Sequence, residues 1–255
     1  MTGSHDGSLD SFKNLSFEKF RERAKATDLN ESEKIGFPSS YREGKEKGIF
    51  EDIFSKLNLV HSTQKKILDL GCGCSELPRL IVSASENNAH KLTLIDSREM
   101  LQALGSTSKE IESLPGYFPK DFETWIEKNQ KTFDAIIAYS LFHYIRAEGI
   151  EQIFLEACLK LLKPGGELLL GDIPNFSMKL RFLKSEEGKK YHEENFGKTS
   201  LDLSKLKPEP GHLDDDSLQA LIRWFKDRHC NVFLLPQPKE LPFSNRREDL
   251  LIKKL

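Results

Sequence analysis

The apolar positions along this chain change their period several times, and each change marks an element. Residues 11–35 are rich in charge, and Phe12, Leu15, Phe17 and Phe20 recur at a spacing that predicts a short amphipathic helix. A turn at Gly36-Phe37-Pro38 follows. Ser40, with Glu43 three residues on, has the spacing of a capping box. Beyond it Ile49, Phe50, Ile53, Phe54 and Leu57 fall on one helical stripe. Gly44 and Gly48 lie one turn apart in this segment, and each costs about 1 kcal/mol relative to alanine inside a helix. Either a neighbour approaches that bare face closely, or the helix start is frayed.

From Lys65 onward strands alternate with helices. Lys66–Leu70 is a short apolar strand running into Gly-Cys-Gly, and Ser75–Asn87 is a helix with Leu77, Leu80, Ile81 and Ala84 inward. Leu92–Ile95 is a second strand closed by Asp96, and Arg98–Leu104 a short helix. The third strand is expected around Gly116–Phe118. Phe133–Tyr139 is apolar apart from Asp134, as in the buried middle of a parallel sheet. Gly149–Leu162 is helical, with Ile150, Ile153, Phe154, Ala157 and Leu161 on one stripe, and Glu167–Ile173 is the next strand. After a polar stretch, Asp216–Arg228 resumes a helix, and Asn231–Leu235 and Asp249–Leu255 are strands joined without a helix, which predicts an antiparallel pair.

This rhythm predicts an α/β fold, a doubly wound, mostly parallel sheet covered on both faces. The organisation expected is a helical N-terminal extension or lid over residues 1–63, an α/β core over 64–173, a cap insertion over 174–213, and a C-terminal helix and strand pair over 214–255.

Composition narrows the classes. A chain of 255 residues buries a core without staples. Its four cysteines, two of them in a glycine-rich turn, need not form a disulfide framework and suit a reducing compartment. No apolar run reaches the roughly 18 to 20 residues of a membrane span. Met1–Asp10 lacks the apolar stretch of a secretory signal, and its Gly-Ser-His triplet is given no structural weight. A cytoplasmic location is the expectation. Net charge is −2, so no global field favours nucleic acid.

The sharpest feature is Ile67-Leu68-Asp69-Leu70-Gly71-Cys72-Gly73-Cys74-Ser75. A strand running into Gly-x-Gly at a helix start lets a ligand approach bare backbone, and the helix beyond offers unpaired N–H groups. A dinucleotide fold wants a third glycine at position 76. Here that residue is Glu76, a carboxylate where a pyrophosphate would lie, so a nicotinamide oxidoreductase is disfavoured.

Asp69-Leu70-Gly71-Cys72-Gly73 resembles the first motif of class I S-adenosylmethionine-dependent methyltransferases. Four further stations follow in that family's order. Leu94-Ile95-Asp96 resembles the acidic end of its second strand, and Lys120-Asp121-Phe122 its adenine-contacting station. Phe133-Asp134-Ala135-Ile136-Ile137 resembles the fourth strand, and Leu162-Lys163-Pro164-Gly165-Gly166 the turn before the fifth. The resemblance implies a seven-stranded Rossmann-like sheet, S-adenosylmethionine as cofactor with S-adenosylhomocysteine as product, and no metal. It implies cofactor contacts from Asp69, Gly71, Cys72, Gly73, Asp96, Ser97, Asp121, Phe122, Tyr139 and Arg42. Asp96 offers two acceptor oxygens to a ribose diol, Asp121 an acceptor to the adenine amino group, and Asp69 orients the loop or the cofactor's amino group. Arg42 is either a partner for the methionine carboxylate or a solvated surface residue. Cys72 and Cys74 read as small loop residues, because a metal site needs more ligands at suitable spacing.

The family places groups facing the methyl after its fourth strand, here Tyr139-Ser140-Leu141-Phe142-His143-Tyr144. His143 is the candidate base, since an ordinary imidazole titrates near neutrality; the competing reading is a hydrogen-bonded structural histidine. His192 and His212 are weaker alternatives. The region lacks the motifs of DNA amino-, cytosine C5- and protein arginine methyltransferases, and the acidic Mg²⁺ site of catechol-type enzymes. That leaves transfer to O or N of a small-molecule or glycan-type acceptor. The partner expected is that acceptor, with neither nucleic acid nor membrane. A non-catalytic cofactor-binding regulatory or assembly protein is the alternative. In the insertion Lys179, Arg181, Lys184, Lys189 and Lys190 interleave with Phe176, Phe182, Tyr191 and Phe196. They either hold an anionic acceptor or form a solvated flap balanced by Glu186, Glu187, Glu193 and Glu194.

Overall fold

A computed structural model describes Phe12 and residues 15–197 and 202–255, apart from the side chains of residues 195 and 196. Met1–Asp10 and the Phe196 ring therefore lie outside what is described. The N-terminal extension consists of α1 (Phe17–Lys25), α2 (Glu31–Lys34), α3 (Ser39–Arg42) and α4 (Glu46–Lys56). The core runs β1 (Lys66–Leu70), α5 (Glu76–Asn87), β2 (Lys91–Asp96), α6 (Arg98–Leu104), β3 (Glu112–Pro115), α7 (Glu123–Lys128), β4 (Phe133–Tyr139), α8 (Phe142–Ala147), α9 (Glu151–Leu161) and β5 (Leu162–Pro174). The insertion carries α10 (Phe176–Lys184) and α11 (Glu186–Phe196), and α12 (Asp215–Lys226), β6 (Cys230–Pro236) and β7 (Arg247–Lys254) follow.

The seven strands form one sheet in the order β3-β2-β1-β4-β5-β7-β6. The first five are parallel, and β7 lies antiparallel between β5 and β6. Side chains alternate across it. Leu68, Leu70, Ile136, Ala138, Leu168 and Leu170 pack under α9 and α12, against Phe154, Leu155, Leu218 and Phe225. Ile67, Ala135, Ile137 and Leu169 face α4 and α5, against Ile49, Ile53, Leu77 and Ile81. The strand order reverses between β1 and β4, and ligands of such sheets bind outside the strand carboxyl ends at that switch point. Over this end lies α1, tied down where Arg21 forks Glu99 with Nε at 2.9 Å and Nη2 at 2.8 Å and where the Phe17 N–H donates to Glu148 at 2.9 Å.

Four expectations are corrected. The third strand is Glu112–Pro115, paired from Thr93↔Glu112 to Asp96↔Pro115. It is an edge strand, half exposed and polar, so the apolar signal lay instead in Tyr117 and Phe118, which turn inward beyond it. Ser40 opens no capping box, because its helix starts at Ser39 after Pro38 without a side-chain cap, whereas Asn30 and Glu33 form one. Gly44 stands outside the helix with φ +72°, a left-handed turn that suits glycine. The segment 149–162 is shorter than expected, its helix spanning Glu151–Leu161, and Ile153 on it is 55% exposed.

Candidate functional site

The glycine loop is shaped by what leans on it. Gly71 and Gly73 have φ +64° and +71°, a region costly for residues with a Cβ. A Cβ on Gly71 would stand 2.8 Å from Leu141 Cδ1, and one on Gly73 2.8 Å from Ile35 Cγ2. Asp96, at the end of β2, joins loop and strand: Oδ2 accepts the Gly73 N–H at 2.8 Å and Oδ1 the Ser97 N–H at 2.6 Å. Burial nevertheless outweighs those donors and pushes its carboxyl up to about 6. Asp69, at the end of β1, is buried and has no hydrogen-bond partner among the described residues. Burial first, and the charge of Asp96 second, push it up to about 8. A buried carboxyl without a donor is costly; this one lines a cleft.

That cleft, about 110 Å³, is walled by the loop Gly71–Gly73, by Asp69 and Asp96, by Arg42, and by Tyr139, Ser140 and Leu141 after β4. Phe17 and Phe20 of α1 close it from above. Phe17 stacks on Tyr117 with ring centres 4.5 Å apart, and Phe20 meets Tyr144 edge-on at 4.9 Å. Its volume is below the roughly 300–1,000 Å³ of small-molecule sites.

Arg42 is buried rather than solvated. Its Nε donates to Glu46 Oε1 at 3.0 Å, and the guanidinium lies over the Phe37 ring at 4.7 Å and the Tyr139 ring at 5.7 Å. Glu46 in turn accepts from Leu77 N at 3.1 Å and Ser75 Oγ at 3.3 Å. It thus caps the first turn of α5 from another helix, a role that Ser75's own side chain leaves open. Sequence reasoning missed Glu46, although the i, i+4 spacing of Arg42 and Glu46 was a usable signal.

Other predicted residues sit elsewhere. Asp121 is exposed and closes a turn, accepting the Tyr117 N–H at 2.8 Å. Phe122 packs into the core beside Phe118 and Trp125. Ser97 caps α6 through Met100 N at 3.1 Å. None of the three lines the cleft, whereas Gly116, Tyr117 and Phe118 do. Burial pushes the Cys72 thiol up and that of Cys74 to about 11, so both stay protonated near neutrality.

Behind the ends of β4 and β5 lies a polar network that the sequence did not announce. Asp172 is buried and accepts hydrogen bonds from Ser140 Oγ and Arg247 Nη1. Its N–H donates to Asp249 Oδ1 at 2.8 Å, and Lys56 Nζ reaches Asp249 Oδ2 at 2.7 Å. Gln237 Nε2 donates to Asp249 at 3.0 Å.

A second cavity, about 480 Å³, adjoins the first and shares Phe37 and Tyr144 with it. His143 lines this second space, in the first turn of α8. Its ring is buried, Nδ1 lacks a partner among the described residues, and burial, Arg247 and His212 hold it well below the usual imidazole range. His212 lines the same space, lowered to about 4 chiefly by burial. The insertion contributes Lys179, Leu183, Tyr191 and His192, and the segment before β7 contributes Phe243, Arg246 and Arg247.

Residues 67–166 match the family model of a methyltransferase domain. No curated protein matches the chain. Among solved structures, Haemonchus contortus phosphoethanolamine N-methyltransferase 1 is similar at 17% identity and TM-score 0.57, over 94% of this chain and 50% of that one. The chain thus spans half the length of that enzyme. The plantazolicin methyltransferase BpumL matches at 17% identity and TM-score 0.58, over 97% and 98% of the two chains. The CurJ carbon methyltransferase matches at 13% identity and TM-score 0.55, over 99% and 71%. At such identities these likenesses speak for the fold, and they agree with the sheet order above. The match thus places a methyltransferase domain in residues 67–166, within the sheet described above.

Proposed function

We propose that this methyltransferase moves a methyl group to an O or N atom of a small-molecule or glycan-type acceptor held in the second cavity. The observation carrying this reading is the adjacency of two spaces of different character. One is a narrow cleft on the glycine loop with an unpartnered carboxyl; the other is a larger aromatic and basic chamber reached past Phe37 and Tyr144.

The residues of the cleft fit an adenosyl amino acid. Asp69 is a buried carboxyl lacking a donor, and an ammonium supplies one. Arg42 spends Nε on Glu46, and its Nη groups suit a carboxylate. Asp96 has two oxygens for a vicinal diol, and Gly71 and Gly73 present backbone without Cβ atoms. Tyr117 and Phe118 supply apolar walls for a base, in place of Asp121. The cofactor supplies a sulfonium methyl: the S–CH₃ bond breaks with its electron pair to sulfur, a C–O or C–N bond forms, and the acceptor loses a proton. The protein's task is alignment and exclusion of water, which the lid α1 serves. Neutral His143 is the proton acceptor proposed for a hydroxyl acceptor.

Two structures of similar fold are in keeping with a small acceptor: the Haemonchus enzyme is in complex with phosphoethanolamine and BpumL with a triazolic desmethylPZN analog. A cofactor-binding regulatory protein would have no use for the second chamber. Calorimetry with S-adenosylhomocysteine, against NAD(H), tests the cleft, and tighter NAD(H) binding defeats the assignment. Methyl-labelled cofactor incubated with metabolite pools, followed by mass identification of the product, tests turnover. Cofactor binding without any labelled product would favour the regulatory alternative.

A further inference from the structure

We propose that the acceptor carries an oxyanion, a carboxylate or a phosphate separate from the atom that is methylated, and that Arg246 in the second cavity binds it. This rests on the acceptor site assigned above and names the class of molecule it takes.

The cavity wall is unevenly charged. Among the described residues Lys179, Arg246 and Arg247 line it, against one acidic side chain, Glu209. Arg247 is already neutralised, since Nη1 pairs with buried Asp172. Arg246 is not: its Nε donates to Asn245 Oδ1 at 3.1 Å, and no carboxylate pairs with it among the described residues. Three rings hold it in place, with the guanidinium 4.8 Å from the Phe243 centroid, 5.6 Å from Tyr191 and 6.0 Å from Phe182. A guanidinium fixed on aromatic faces loses little freedom on binding, and its fork matches a carboxylate or phosphate. The insertion sorts its own charges around this group. Lys189 pairs with Glu186 at 2.6 Å, Lys190 approaches Glu194 at 3.8 Å, and Arg181 pairs with Asp215. Among the described lysines and arginines of the insertion, Lys179 lines the cavity.

The remaining wall suits the rest of such a molecule. Phe37, Tyr41 and Tyr144 offer apolar faces to a ring or sugar. His143 and His212 add donors and acceptors rather than charge. A cationic acceptor would meet Arg246 and Lys179 with one carboxylate in compensation. The volume, about 480 Å³, accommodates one small molecule.

The test uses the full chain saturated with S-adenosylhomocysteine, titrated with phenyl phosphate, benzoate and neutral benzyl alcohol. At least one anion is expected to bind tenfold or more tightly than benzyl alcohol, and the better of the two identifies phosphate or carboxylate. Arg246→Ala should weaken that anion at least tenfold, Arg246→Lys should restore part of the loss, and S-adenosylhomocysteine affinity should stay within twofold of wild type, which also reports a folded variant. Equal binding of all three probes, binding of none, or anion affinity unmoved in Arg246→Ala overturns the proposal while the methyltransferase reading stands. Failure of S-adenosylhomocysteine to bind the wild-type chain would overturn both.

Discussion

Replacing Asp69 with Asn keeps the shape of the side chain and removes the ability to become an anion in a buried cleft. The carboxyl titrates at about 8 in the folded chain against 3.8 in its ordinary state. Because the folded value is raised, the native state holds the proton more tightly than the unfolded one. Stability is therefore fully present below about pH 4 and is lost as pH rises toward and through 8. At about 1.4 kcal/mol per pH unit over which only the native state is protonated, wild type loses on the order of 2–4 kcal/mol between pH 5 and pH 9 relative to the Asn variant. For a chain this long, each kcal/mol moves the melting temperature by roughly 2–4 °C. In thermal melts of the ligand-free protein, Asp69→Asn should melt several degrees above wild type at pH 9, with the gap narrowing toward pH 5.

Ligand binding should invert the order. If Asp69 receives the amino-acid ammonium, it must release its proton, and near pH 7 it is about nine-tenths protonated when free. Calorimetry of S-adenosylhomocysteine in buffers of different ionisation enthalpy should report close to one proton released at pH 7 and little at pH 9. Asp69→Asn should release none and bind at least tenfold more weakly, as loss of a charge-assisted contact costs about 1.5–3 kcal/mol. A melting gap that stays constant from pH 5 to pH 9, or a variant that binds the ligand as tightly as wild type, refutes this account of the cleft.

Arg42→Ala strands the buried carboxylate of Glu46 and should cost about 3–5 kcal/mol in denaturant unfolding. Glu46→Gln, whose amide oxygen still accepts from Leu77 N, should cost less. Gly211→Ala forces φ +82° on a residue whose Cβ would lie 1.8 Å from the His143 carbonyl oxygen; a loss of about 2 kcal/mol or more is expected, read by urea unfolding. His143→Ala should lower turnover of a hydroxyl acceptor about a hundredfold or more. Since His143 stays unprotonated well below its usual range, wild-type turnover should not fall through loss of this base between pH 8 and pH 6, as followed by label transfer. Wild-type rates in His143→Ala across that range would remove it from the mechanism.

What the sequence disclosed follows from where each residue sits in the sheet. β4 was readable at its bounds because a central strand is buried on both faces, so that all but Asp134 near its start is apolar. The loop at Gly71–Gly73 was readable because positive φ and close neighbours leave only glycine comfortable there. β3 escaped because an edge strand has no such requirement. The Asp172–Asp249–Lys56 network was invisible for another reason. Its members lie far apart in sequence and meet through the β5–β7 register, which slips between Leu170 and Ile173. No local pattern encodes that slip.

The basic residues of the insertion show the same limit from the functional side. Lys179, Lys189 and Lys190 all stand near aromatic residues in the sequence, and both readings of the segment were consistent with them. The fold separates the three by helix phase: Lys189 and Lys190 meet glutamates on their own helix, while Lys179 turns to the cavity that Arg246 also lines. Arg246 itself belongs to the segment before β7, roughly seventy residues later, where Arg246-Arg247 stands in a polar stretch without a motif around it. The acceptor site proposed above, assembled from an insertion and a strand-end loop, therefore has no contiguous motif, unlike the glycine loop, whose demands fall on consecutive residues. That asymmetry is why the sequence suggested a cofactor long before it suggested anything about an acceptor.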